Sequence, residues 1–101
     1  MTTDIENQEK TVIEVKVPKL WKVVFLNDDV TPMELVVELL TKIFNHDEKS
    51  AKDVMLEVHN SGSGIAGLYI YEIAEQKGLE ATAIARANGS PLKICVEEDN
   101  E

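Results

Sequence analysis

Between positions 20 and 96 the spacing of apolar residues changes several times, and each change marks an element. Leu20-Trp21-Lys22-Val23-Val24-Phe25-Leu26 is short and rich in β-branched and aromatic residues, the length and composition of a strand. Asn27-Asp28-Asp29-Val30 breaks the run. Thr31 is then placed to cap a helix, Pro32 suits its first position, and Glu34 completes a capping box with Thr31. Met33, Val36, Val37, Leu40 and Phe44 recur at spacings of three and four, which predicts a helix to about Phe44. Asn45-His46-Asp47 interrupts it, and Asp47 can cap a second helix through about Asn60, with Ala51, Val54, Met55 and Val58 on its inner face. Ser61-Gly62-Ser63-Gly64 reads as a loop. A strand from Ile65 to about Ile73, a helix from about Ala74 to Asn88 and a last strand from Leu92 to Val96 complete the pattern. Asn88-Gly89-Ser90-Pro91 ends the third helix, and Gly78 within it costs about 1 kcal/mol relative to Ala.

The order β-α-α-β-α-β predicts an α+β sandwich, a three-stranded, mostly antiparallel sheet covered by three helices. Three strands need that cover to be stable. With 101 residues a single domain is expected. Residues 1–18, ending at Pro18, hold no turn signal and read as a flexible N-terminal extension, although the alternation Val12, Glu14, Lys16 could zip onto a sheet edge. Residues 19–96 form the folded core, and 97–101 an acidic C-terminal tail.

Charge narrows the partners. Nineteen acidic against ten basic residues give a net charge of −9, but Lys19 to Lys93 holds eleven acidic and eight basic, so most of the excess sits in the two ends. Basic residues are not gathered into a patch, which argues against nucleic acid and favours a basic protein surface or a cationic ligand. Cys95 is the only cysteine and cannot pair within the chain, so a cytoplasmic location is expected and a strand position suits it as a small buried hydrophobe. The beginning of the chain has no basic stretch leading into an apolar run, and no window approaches the roughly 18 apolar residues of a membrane span, so the chain is expected to be neither secreted nor embedded.

The chemistry-bearing residues crowd the junction of the first strand and first helix: Asn27, Asp28, Asp29 and Thr31. Asn and Asp are turn formers and Thr caps, so one reading is a well-built connection. The other is that two adjacent carboxylates exceed what a turn needs and, with an amide, can receive a cation. His59 shares a helix face with Met55 one turn earlier, as a core or capping group or as a ligand; Met33 and Met55 are gap fillers or a binding wall. There is no Gly-x-Gly-x-x-Gly after a strand and no phosphate loop, and one Cys with His46 and His59 makes a poor zinc set, so no cofactor or metal is expected. A hydrolase using Asp28 or Asp29 with His59 lacks a visibly placed Ser or Thr nucleophile, and the chain reads as non-enzymatic.

Lys22-Val-Val-Phe-Leu-Asn-Asp-Asp-Val-Thr-Pro-Met-Glu, then Val54-Met-Leu-Glu-Val-His, Gly67, Glu72-Ile-Ala-Glu and Pro91-Leu92 resemble the ClpS adaptor family in order and spacing, over about Leu20 to Cys95. Val30 stands where that family often carries an aromatic residue. The resemblance implies a non-enzymatic adaptor that binds N-degrons, proteins beginning with Leu, Phe, Tyr or Trp, and delivers them to the AAA+ unfoldase ClpA of the ClpAP protease. It also implies roles for individual residues. Asn27, Asp28, Asp29 and His59 would hold the α-amino group, with Thr31 shaping the entrance. Met33, Val36, Met55, Val58 and Leu92 would line a hydrophobic pocket, Met33 gating it against β-branched side chains. Glu72 and Lys77 would contact the ClpA N-terminal domain, and residues 1–18 would engage the unfoldase.

These roles agree with the physics of the ligand. A peptide N-terminus is an ammonium with three donors, so its capture needs three acceptors and negative charge, which an Asn oxygen, an Asp carboxylate and an imidazole nitrogen supply. The helix start at Thr31 carries partial positive charge that opposes a cation, which gives the paired carboxylates a purpose beyond the turn. The competing expectation is an interaction module of the same shape that docks a protein surface through its helices, as a ribosomal stalk C-terminal domain does, without recognising an amine.

Overall fold

The protein is described by a computed structural model over residues 17–100. The expectations for residues 1–16 and for Glu101 lie outside the described residues. Six elements appear in the expected order: β1 (Trp21–Leu26), α1 (Met33–Lys42), α2 (Glu48–Ser61), β2 (Ser63–Tyr69), α3 (Tyr71–Ala87) and β3 (Lys93–Glu98). The sheet order is β2-β1-β3, antiparallel throughout.

β1 is the central strand because it is the most apolar, and both its edges are paired. Val23 and Phe25 point into the core with Leu35, Val36, Leu39 and Leu40 of α1, Ala51 and Val58 of α2, and Ala74, Ala81 and Ala85 of α3. Val24, on the alternate face, lies between Ile65 and half-buried Cys95 on its neighbours. The α3 face that meets the sheet is built of Ala74, Gly78, Ala81 and Ala85. A Cβ on Gly78 would lie 3.3 Å from the Val96 side chain, so the glycine that weakens the helix is what lets it lie close to β3.

Several boundaries differ from the expectations, for tertiary reasons. The stretch Ser61–Gly64 is not a loop: Ser61 ends α2, Gly62 reverses the chain at φ 92°, and Ser63 and Gly64 already pair with Leu26 and Phe25. The Gly62 N–H closes the helix on the Val58 carbonyl (3.0 Å), while its own carbonyl accepts from the Asn27 N–H (2.9 Å). β2 stops at Tyr69 rather than Ile73, because Tyr69 faces Trp21, the first residue of β1, and beyond it no ladder partner remains. Tyr71 then starts a helix despite its strand-forming type and sets its ring edge-on to Trp21 at 4.8 Å. α1 ends at Lys42, and Asn45 at φ 60° turns the chain so that Ile43 and Phe44 both bury, Phe44 edge-on to Phe25 at 5.6 Å. β3 begins after Leu92 and continues through Glu98, with Asp99 N–H bonding the Leu20 carbonyl and Glu98 paired to Lys19.

His46 serves the sheet from outside it. The β1–β2 register shifts between Val23 and Val24, leaving Ala66 bulged out of the ladder. The Ala66 carbonyl, which can only accept, bonds His46 Nε2 at 2.6 Å, so that nitrogen carries a proton, and Nδ1 pairs with the Ser50 hydroxyl at 2.6 Å. The bulge and the start of α2 are thereby tied together.

Candidate functional site

The C-terminal end of β1, the N-terminus of α1, the C-terminal half of α2 and the segment before β3 converge on a cavity of about 280 Å³. Asn27, Asp28, Asp29 and Thr31 come from the β1–α1 junction, Met33 and Val36 from α1, Met55, Val58 and His59 from α2, and Leu92 from the approach to β3. All ten residues singled out in the sequence around an acidic lip and an apolar pocket therefore border one space. Val36, Val58 and Leu92 are buried at its base, whereas Met33 is 42% exposed at its mouth.

The residues of the acidic junction divide their labour. Asp28 Oδ1 accepts the Val30 and Thr31 backbone N–H groups, both at 2.7 Å, and its Oδ2 accepts the Thr31 hydroxyl at 2.7 Å. Asp28 is thus the residue that folds the loop, and most of its acceptor capacity is used there. These bonds leave out the side chains of Asn27 and Asp29, which are exposed at the lip, as is His59. Asp28 contributes its negative charge to the wall, while Asn27, Asp29 and His59 keep acceptor atoms open to a ligand. Burial alone would push the Asp28 carboxyl up. The bonds from the Thr31 hydroxyl and the Thr31 and Val30 amides, with the Arg86 charge, outweigh that and hold it below its ordinary value of 3.8.

Thr31 does not cap α1. Pro32 occupies the cap position with no side-chain bond, and its carbonyl accepts the Leu35 N–H at 3.1 Å. The Thr31 hydroxyl instead joins a chain of bonds whose direction is set by its ends. The Asp28 carboxylate accepts from Thr31, so Thr31 Oγ1 must accept from the Ser90 hydroxyl at 2.6 Å, and Ser90 Oγ in turn accepts the Leu92 N–H at 3.1 Å. Arg86 Nη1 closes the system by donating to the Ser90 and Leu92 carbonyls at 2.9 and 2.8 Å. Ser90 is 3% exposed, the one buried polar residue among those described. It and Arg86 are the residues that sequence reasoning missed, since Ser90 sits in a stretch that reads only as a helix terminator.

The helix ends also act on the space. The α1 N-terminus brings partial positive charge, which the Asp28 carboxylate offsets, and the C-terminal turn of α2 at His59 brings partial negative charge that favours a cation. Glu72 is exposed in the first turn of α3, but the Lys77 ammonium is committed within the chain. It donates to the Ile43 carbonyl at the end of α1 (2.8 Å) and lies 5.3 Å from the Tyr69 ring centre. Among the described residues no three His, Cys, Asp or Glu side chains are gathered to hold a metal, and no helix is long and apolar enough to cross a membrane.

Two outcomes follow from the relay. Ser90→Ala leaves the buried Leu92 N–H without an acceptor, so urea denaturation should register a loss of about 1 to 3 kcal/mol. Because folding lowers the Asp28 value below 3.8, its stabilisation is present above that pH and is lost as pH falls through the folded value. Asp28→Asn should therefore be less stable than the parent at pH 7, and the gap between their denaturation midpoints should close in acid; a gap independent of pH would remove the carboxylate from this account.

A family model, "ATP-dependent Clp protease adaptor protein ClpS", matches residues 16–95. The ATP-dependent Clp protease adapter protein ClpS of Deinococcus radiodurans is 44% identical over 87% of this chain and 78% of its own length. That of Shewanella pealeana is 43% identical over 96% of each. In solved structures, Agrobacterium tumefaciens ClpS2 bound to L-phenylalaninamide superposes with a TM-score of 0.79 at 38% identity, covering 82% of this chain and all of that one. With its family model, relatives and fold in agreement, the chain belongs to the ClpS family of Clp protease adaptors.

Proposed function

We propose that this protein captures N-degron substrates, chains with a free N-terminal Leu, Phe, Tyr or Trp, and delivers them in the cytoplasm to the ClpA unfoldase of the ClpAP protease, with no catalysis or cofactor. The observation that carries the reading is that an open acidic lip and an apolar interior form one cavity. The ligand of the Agrobacterium ClpS2 structure, L-phenylalaninamide, combines the same two demands, a free amine and an apolar side chain.

An α-amino group titrates near about 7.7 to 8.0, so at neutral pH it presents three donors and a positive charge. Asn27, Asp29 and His59 supply the acceptors, Asp28 and the α2 terminus supply further negative potential, and Thr31 holds the lip in shape. The first side chain enters between Met33 and Met55 and rests against Val36, Val58 and Leu92. Burying a Leu or Phe there contributes roughly 1.5 to 3 kcal/mol. An internal residue has the side chain without the ammonium and leaves the acceptors of the lip unpaired, so recognition of chain ends needs both halves together. On the partner-facing side, exposed Glu72 is the residue we assign to ClpA contact; Lys77 can join it only by leaving the Ile43 carbonyl.

The decisive experiment compares two Phe-initiated peptides that differ only in N-terminal acetylation. The free amine should bind about a hundredfold tighter, the worth of polar groups left unpaired by the blocked end; equal affinities would return the protein to the class of surface-docking modules. The gate is tested separately. Met33→Ala should raise binding of Ile- and Val-initiated peptides about tenfold relative to Phe, since the exclusion rests on shape at the mouth. Unchanged discrimination would relieve Met33 of that role.

A further inference from the structure

Outside α1 and α2 a second hollow of about 460 Å³ adjoins the first, and two side chains, Met33 and Met55, belong to the walls of both. Its floor continues along Val37, and its far end is bordered by Thr41 of α1 and Lys52 of α2. We infer that this groove receives the residues after the first in the bound substrate chain, with an apolar side chain at the third or fourth position resting on Val37 and the two methionines. The inference rests on the reading of the cavity just given and extends it.

Three observations carry it. The first is continuity: with its amine at Asn27, Asp29 and His59, a bound chain has Met33 and Met55 as the rest of the rim, and crossing them leads into the groove. The second is length. From Met33 to Thr41 the α1 axis advances about 12 Å at 1.5 Å per residue, the reach of three to four extended residues. The third is chemistry: of the three charged residues at its edge, Glu38 is paired with Lys42 at 3.0 Å and Lys52 with Glu48 at 3.5 Å, leaving Glu34 at the α1 end as the one without an ion pair among the described residues, so along Val37 and the two methionines the groove offers apolar surface. Methionine adapts to many shapes, which suits a segment whose sequence differs from one substrate to the next.

The test uses the full chain with phenylalaninamide and with two five-residue peptides beginning with Phe, one carrying Leu and the other Gly at positions three and four. The Leu peptide should bind about fivefold tighter than the Gly peptide. Val37→Asn should abolish that difference while leaving phenylalaninamide binding unchanged, which also reports that the variant is folded. Independently of any substitution, a nitroxide at position four of the Leu peptide should broaden the Val37 and Thr41 amide signals in the parent protein. Equal affinities for the two peptides, or broadening confined to other surfaces, with phenylalaninamide still bound, would overturn the groove and leave the cavity reading standing. Failure of phenylalaninamide itself to bind would overturn both.

Discussion

A single chain of hydrogen bonds, Leu92 N–H to Ser90 to Thr31 to the Asp28 carboxylate, ties the end of β1 to the approach to β3, and the cavity exists because that chain is closed. Its donors and acceptors alternate without choice once the carboxylate is at one end and a backbone N–H at the other. Asp28 is therefore needed as an anion, and the same atoms that shape the loop leave a negative charge at the lip. A neutral residue in its place would weaken the bonds that shape the loop and remove the negative charge at the lip together. The Arg86 guanidinium, bonded to two carbonyls of the segment, keeps Leu92 at the base of the pocket while its charge helps keep Asp28 ionised.

The position of the site follows from the sheet. β1 is central and runs toward the cavity, so its last residue delivers Asn27, Asp28 and Asp29 beside whatever its neighbours present at that end. On one side that is the tight Gly62 reversal, which brings His59 to the mouth; on the other it is the Ser90–Leu92 segment. A Cβ on Gly64 would meet the Val58 side chain at 2.8 Å, and that close approach of β2 to α2 is what holds Val58 in the cavity wall. His46 acts at a distance on the same register by holding the Ala66 carbonyl of the bulge.

Two helix termini of opposite sign meet the lip, and the arrangement is not symmetric. The positive end of α1 is neutralised by a carboxylate already bound to that loop, while the negative end of α2 remains available to an incoming cation. The apolar interior lies directly behind. A ligand with charge and hydrophobic group on adjacent atoms satisfies both at once, whereas either part alone leaves half of the surface uncompensated.

Periodicity and residue type were sufficient for the order of the six elements, because strand runs, capping Asp47 and a three-and-four apolar stripe are local signals. Of the ten residues around the cavity, Asn27, Asp28, Asp29, Thr31, Met33, Met55 and His59 stood out locally, as acidic and amide residues between a strand and a helix and a histidine one turn from a methionine, each with a structural reading beside it. That all ten belong to one site, Val36, Val58 and Leu92 included, was implied only by the resemblance to the ClpS family. What lies far apart in the chain was not legible. Ser90 meets Thr31 across 59 positions, and nothing near Ser90 distinguishes it from a turn residue. That Asp28 is the structural carboxylate and Asp29 the open one depends on which oxygen finds a backbone N–H, a question of loop geometry. Tyr71 to Ile73 left the strand for the helix because β1 had ended opposite them, and Ser63 and Gly64 joined β2 because it had not. Local composition sets a preference worth a fraction of a kcal/mol per residue, while pairing and packing partners, fixed only when the chain is folded, decide where each element stops.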